Sequence, residues 1–134
     1  MKERKVTAVS LQIGFLTIEE MTEPKDIELD IKQISDAVQR SVKQFLAAAS
    51  KDRLIVAAYV YGSEARQEAT EWSDIDVAVI SPDFADDLFA AQVLLMKLAA
   101  RVDDRIEPRA FTPQGFNVND PLANAIQNTG VRVA

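Results

Sequence analysis

Asp74 and Asp76 flank a single residue at the head of an apolar run, Ile75 to Ile80. In an extended strand alternate side chains share a face, so the two carboxylates point one way while Ile75 and Val77 point the other. Carboxylates that close require a cation between them, or one must take up a proton. Oxygen ligands suit Mg²⁺, which takes one or two carboxylates and completes its shell with substrate phosphates. Upstream, another apolar run ends in Tyr61-Gly62-Ser63. Gly62 lets backbone approach a ligand closely, and Ser63 predicts the start of a short helix whose N-terminus would attract an anion. Phosphate and metal subsites are therefore expected side by side. The chain has neither His nor Cys. Imidazole and thiolate ligands are excluded, and acid–base work falls to Asp, Glu, Lys or Tyr.

The elements around these residues follow from pattern. Apolar residues at Ile27, Ile31, Ile34, Val38, Val42, Phe45 and Leu46 step by three and four, which predicts a long amphipathic helix. Leu54–Tyr61 is nearly all apolar and reads as a central strand buried on both faces. After the Asp-x-Asp strand, Ser81-Pro82-Asp83 reads as a helix start, with the helix running from Phe84 to Val102. Arg105–Phe111 reads as a third strand. Pro108 cannot donate to a ladder, so this strand is expected at an edge or with a local break. Thr112-Pro113 starts a short helical turn, Asn119-Asp120-Pro121 starts the last helix (Leu122 to Asn128), Gly130 stops it, and Val131–Val133 forms a short final strand. Nearer the N-terminus, Val6–Leu16 is a plausible strand, and Thr22-Glu23-Pro24 opens a helix. Residues 1–21 read as an extension and residues 22–134 as one domain. The order of elements predicts an α/β fold.

The run from Gly62 to Asp76 resembles the Gly-Ser-x10-Asp-x-Asp signature of the polymerase-beta-like nucleotidyltransferase superfamily. In particular it resembles the minimal nucleotidyltransferases (MNT), single catalytic lobes often paired with HEPN proteins. Four fixed positions match by chance on the order of 10⁻³ over such a chain. The longer form of the motif reads Gly-Ser-x-Ala-Arg-Gly; Ala65 and Arg66 match it, and Gln67 departs from it. The resemblance covers roughly Ile31 to Val133. It implies a twisted mixed β-sheet backed by α-helices. It also implies a metal set of Asp74, Asp76 and a third carboxylate on a neighbouring strand. Glu107 fits that place best, with Asp103 and Asp104 as rivals in the preceding turn. Gly62 and Ser63 would hold the triphosphate. Arg66 would lie near the nucleotide, unless it pairs with Glu64, Glu68 or Glu71. Tyr61 and Trp72 read as core aromatics or as surfaces for a base, and Lys97 and Arg101 as a solvated helix face.

The activity the resemblance implies is transfer of a nucleoside monophosphate, AMP from Mg²⁺–ATP, to an acceptor hydroxyl. Two metal ions are expected, with Mn²⁺ as a substitute. The acceptor side is expected from another chain: a HEPN-family toxin partner, or a second copy. Alternatives are a homodimeric small-molecule enzyme of the aminoglycoside type and a non-catalytic antitoxin that covers its partner. Net charge is −6 with a pI near 4.6. That argues against tight, non-specific duplex DNA binding, which needs a basic footprint. No run approaches the roughly 18 apolar residues of a membrane span, and the N-terminus makes a poor signal peptide. The reading is a cytoplasmic protein.

Overall fold

The computed structural model describes residues 34–70 and 72–134. The expected Val6–Leu16 strand, the Thr22-Glu23-Pro24 helix start, the boundary at residue 21 and the Ile27–Ile31 part of the first helix lie outside the described residues. The element order is α1 (Asp36–Ala49), β1 (Ala57–Tyr61), β2 (Ile75–Ile80), a 3-10 turn (Pro82–Phe84), α2 (Leu88–Val102), β3 (Ile106–Phe111), α3 (Pro121–Thr129) and β4 (Val131–Arg132). The four strands form one sheet in the order β3-β2-β1-β4. β1 runs antiparallel to β2 and β4, and β2 runs parallel to β3, so the sheet is mixed. This is the expected α/β class.

Strand alternation divides the sheet into two faces. Val60, Ile75, Val77, Val79, Ile106 and Ala110 point to one side, where they pack with Val38, Val42, Phe45, Leu95 and Ala99 of α1 and α2. Ala78, Ile80 and Phe111 point to the other side and meet Phe116 and α3 through Ala123 and Ile126. Phe116 lies against Tyr59 and Phe111 with ring centroids 5.3 and 5.1 Å apart. Only one end of this second face is covered. Its other end carries Tyr61, Asp76 and Glu107.

Several expected boundaries move. Ser35 caps α1, its hydroxyl accepting from Val38 N–H, so Ile34 precedes the helix instead of belonging to it. β1 begins at Ala57, and Leu54 and Val56 are exposed. Only one face of β1 is fully buried, unlike the two-sided burial its composition suggested. The Phe84–Val102 helix is split: Ser81 caps a short 3-10 turn, and Asp87 caps α2 through Ala90 N–H. Thr112 does open a helical turn, its carbonyl accepting from Phe116 N–H. Asp120 caps α3 ahead of Pro121, and Gly130 closes it. Among the described residues no helix is long and apolar enough to cross a membrane.

β3 is an edge strand, as Pro108 required. Three of its outward groups are already engaged. Ile106 N–H donates to the Asp103 carbonyl at 3.0 Å. Pro108 has no N–H, and its carbonyl accepts from Gln92 Nε2 at 2.8 Å. Ala110 N–H donates to Gln92 Oε1 at 2.8 Å. The side-chain amide of one α2 residue thus stands where a neighbouring strand's peptide would. An open edge is a template for strand addition, and covering it prevents that. Gln92→Leu leaves both β3 groups without this partner. It should cost about 1–2 kcal/mol in urea unfolding and should raise self-association in sedimentation. An unchanged unfolding midpoint would show that solvent replaces the amide fully.

A second tie joins α1 to the end of α2. Ser41 Oγ donates to Asp103 Oδ2 at 2.9 Å, and Arg105 donates to both Asp103 oxygens, at 3.1 and 2.9 Å. The Arg105 bonds hold the mostly buried Asp103 carboxyl down at about 2, against an ordinary 3.8. A carboxyl lowered on folding stabilises the fold above its unfolded value, and that gain is lost as pH falls through its folded value. The difference is worth roughly 2 kcal/mol at neutral pH. Unfolding midpoints should therefore drop between about pH 5 and about pH 2 more steeply in the natural protein than in Asp103→Asn. Equal slopes would assign the acid sensitivity elsewhere.

Candidate active site

Gly62 begins the turn that links β1 to the acids. Its φ is +74°, a left-handed conformation that glycine adopts without steric cost. A Cβ on Gly62 would also collide with Oδ2 of Asp76. The glycine therefore serves two needs, a reversal of the chain and the seating of a carboxylate directly over its backbone. The second need differs from the expected close approach of a ligand.

The predicted helix at Ser63 does not form. Residues 62–67 make consecutive hydrogen-bonded turns, with Arg66 N–H donating to the Gly62 carbonyl, Gln67 N–H to Glu64 and Glu68 N–H to Ser63. Gln67 sits at φ +60°. A non-glycine residue there is strained by roughly 1–2 kcal/mol, which gives a physical reason for the glycine in the longer motif. Both ends of the segment are thus left-handed, and no α-helix can run through it. The anion-binding reading through a helix N-terminus is corrected accordingly. Only N–H groups of a turn are on offer, and its internal bonds are donated by Arg66, Gln67 and Glu68, leaving those of Ser63 and Ala65 outside them.

Register brings the acids together. Tyr61 of β1 faces Asp76 of β2, and Asp76 faces Glu107 of β3. These three residues form one transverse row on the uncovered end of the sheet face. Asp74 stands just before β2 and is exposed. Burial pushes the Asp76 carboxyl above its ordinary range, the charges of Asp74 and Glu107 push it further, and Arg66 opposes them. The three acids are close enough to burden one another. In the next row Arg109 faces Ala78, which faces Tyr59. The positive charge of Arg109 is close enough to be felt at the Tyr61 hydroxyl. Burial raises the Tyr61 phenol above its ordinary value, Asp76 adds to this, and Arg109 opposes it.

The other residues singled out by sequence are placed as follows. Arg66 makes an exposed pair with Glu68 at 3.0 Å, so both readings of it hold: it is paired, and its charge still reaches Asp76. Ser63 is half-buried within the turn. Glu64 is 8% exposed, and burial raises its carboxyl while Arg105 counters. It is not the partner of Arg66. Asp103 is committed to Ser41 and Arg105, which separates it from the row, and Asp104 remains exposed before β3. Trp72 is 84% exposed, so it is no core aromatic. Thr70 and Ser73 fold its loop tightly, Thr70 N–H donating to Ser73 Oγ at 3.0 Å and Ser73 N–H to the Thr70 carbonyl at 3.1 Å. Lys97 and Arg101 are exposed, as expected of a solvated face. Sequence reasoning placed Arg109 on the face of Glu107 without a role and missed Gln92. Side-chain alternation on β3 carried the signal for the first; the second had no local signal.

Among the described residues no group of three or more His, Cys, Asp or Glu side chains is placed to hold a metal ion by itself. The donor set nevertheless fits a divalent cation shared with a phosphate. Its oxygens are carboxylate, Asp76 is already loaded with negative charge, and an Mg²⁺ site requires only one or two protein carboxylates.

No curated protein matches the chain. Among solved structures, a candidate nucleotidyltransferase from Sulfolobus solfataricus is similar to it at 18% identity with a TM-score of 0.43, covering 70% of this chain and 80% of that one. Residues 40–126, more than half of the 134, match the family model of the nucleotidyltransferase domain, with the Gly62–Ser63 turn and all three acids of the site inside the match. The chain belongs to the nucleotidyltransferase domain family.

Proposed function

We propose that the protein transfers AMP from ATP to a hydroxyl on a partner protein, as the MNT member of an MNT/HEPN pair. The observation that carries nucleotidyl transfer is the row of Asp76 and Glu107 across adjacent strands, beside the turn that begins at Gly62. Asp74, Asp76 and Glu107 would hold the divalent cations, two Mg²⁺ ions with Mn²⁺ as a substitute, which would neutralise the triphosphate and the charge that builds on the attacking and leaving oxygens. Ser63 and its turn orient the phosphate chain, and Arg66 adds positive charge beside it. The acceptor oxygen bonds to the α-phosphorus as the bond to the β-phosphate bridge breaks, and pyrophosphate leaves. Glu107 receives the acceptor proton.

A protein acceptor is favoured over a small one by the surface beside Glu107. A groove runs between α2 and β3, lined by Leu88, Phe89, Gln92, Met96 and the Glu107–Ala110 stretch. Leu88, Phe89 and Met96 are exposed apolar side chains, which suits a partner's apolar surface. The HEPN identity of that partner rests on the resemblance of the motif. The test is incubation with α-labelled ATP and a HEPN protein from the same host. Label and the mass of one or more AMP groups should appear on the partner and should depend on Asp76. An unlabelled partner in a tight complex would favour the non-catalytic antitoxin.

Two substitutions separate the roles of the acids. Asp76→Asn should remove metal-dependent ATP binding and transfer, yet raise the melting temperature of the metal-free protein at neutral pH. A carboxyl raised on folding weakens the fold once pH exceeds its unfolded value, and the weakening is absent below the ordinary carboxylate range. The thermal gap between the two proteins should therefore close on acidification. A less stable Asp76→Asn protein at neutral pH would contradict this. Glu107→Gln should bind Mg²⁺–ATP within a few-fold of the natural protein but lose transfer by roughly 10²-fold or more. Full activity in Glu107→Gln, beside a dead Asp74→Ala, would leave two protein carboxylates in the site and move the base to the partner.

A further inference from the structure

The groove between α2 and β3 could receive a protein partner in two ways. An extended segment could add to the β3 edge, or a helix could lay its side chains into the hollow. Strand addition needs outward N–H and C=O groups on the edge. Here Ile106 N–H is spent on the Asp103 carbonyl, Pro108 has no N–H, and Gln92 takes the Pro108 carbonyl and the Ala110 N–H. What the groove offers instead is side chains. Leu88, Gln92 and Met96 recur at four-residue steps along α2, with Phe89 beside them, and all four line the groove. Phe89 is 79% exposed, and Leu88 and Met96 are exposed too. Side chains at such spacing form a ridge against which another helix packs.

Direction and charge narrow the occupant further. α2 is the return leg of the parallel β2–β3 crossover, so it runs opposite to β3. Gln92 meets Pro108 and Ala110, hence Met96 lies toward Glu107 and Leu88 toward the far end. Glu107 belongs both to the groove and to the acid row. Asp86 and Asp87 are exposed just before Leu88. Acids thus stand at both ends, and Arg109 is the one cation lining the groove between them. We infer that this groove is the docking site of the acceptor protein, which inserts a helix bearing an apolar stripe with Lys or Arg at its ends. The stripe seats on Leu88, Phe89 and Met96, and the acceptor hydroxyl is delivered at Glu107. This inference rests on the protein-acceptor reading given above. Covering the apolar side chains supplies the affinity, and the opposed charges speed the encounter. Phe89 and Met96 choose the acceptor without taking part in ATP binding.

The test uses the full chain and the same HEPN protein as the labelling experiment. Phe89→Ser and Met96→Ser should each weaken its binding by about 30-fold or more in calorimetry, the loss expected of an interface anchor. Both variants should keep natural melting temperatures and natural binding of Mg²⁺ with α,β-methylene-ATP, an analogue that resists transfer. In transfer assays the KM for the partner should rise while the rate at saturating partner stays within a few-fold. Asp86→Lys should slow association and flatten its salt dependence. A photo-crosslinker placed at position 89 or 96 should capture partner residues three, four or seven apart. Capture at alternate residues would mark an extended segment and overturn the helical occupant. Natural partner affinity in both serine variants, with labelling still dependent on Asp76, would overturn the docking site and leave the proposed function standing. A self-dimer that both substitutions dissolve would assign the groove to a second copy and overturn it likewise. Groove-dependent binding of a partner that is never labelled would support the docking site and overturn the transfer. A HEPN protein that does not bind at all would overturn both.

Discussion

A carboxylate pair at the centre of a sheet survives only if the strand beneath it has no freedom to slide. β2 meets that demand. It is paired on both sides, and Ile75, Val77 and Val79 are wholly excluded from solvent beneath α1 and α2. A slip by one residue would drive Asp76 into that core and expose the valines. The cost of burying such a charge, together with the loss of roughly 1.5–3 kcal/mol per apolar side chain exposed, locks the register. Everything on the opposite face inherits its place from this. Glu107 and Arg109 are set by pairing with Asp76 and Ala78, and Tyr61 is set by the antiparallel partner strand.

The same face shows how one sheet serves both packing and chemistry. Its covered end is closed by Phe116 and α3, with Tyr59, Phe111, Ala123 and Ile126 in contact. Its open end collects carboxylates that repel. Counter-charges are arranged around them without closing the gap: Arg66 is tied to Glu68, and Arg109 stands in the next row of the same face. Neither makes a salt bridge to Asp76, whose proton affinity is raised first by burial and then by the charges of Asp74 and Glu107. The two-point ion pair of Asp103 with Arg105 lies outside the acid row, where Ser41 ties it to α1.

Much of this was legible in the chain because strand alternation and punctuation are local signals. The spacing of Asp74 and Asp76, the strand ending at Tyr61, the edge position demanded by Pro108 and the Asp120 cap all follow from neighbouring residues. Glu107 was separable from Asp103 and Asp104 once β3 was located. The failures have physical causes too. Ser63 looked like a helix start, but positive φ at Gly62 and Gln67 bounds four residues that form only hydrogen-bonded turns, and a glutamine carries no sign of that backbone state. The break before α2 was signalled by Asp87 ahead of an apolar run and was overlooked. Gln92 bonding to β3 and the burial of Glu64 depend on contacts between distant segments. No window of sequence contains them.

The parallel pairing of β2 with β3 carries a consequence for the order in which the molecule matures. β1 and β2 are joined by a short excursion and can pair as a local antiparallel unit, bringing Tyr61 and Asp76 together. Glu107 arrives only after the chain has passed through α2 and returned alongside β2. Parallel strands need such a crossover, and its closure entropy is spent before the pairing repays it. A chain halted after β2 would therefore hold two of the acids and none of the third strand. On the ribosome the complete acid row cannot exist until β3 has emerged and docked against β2.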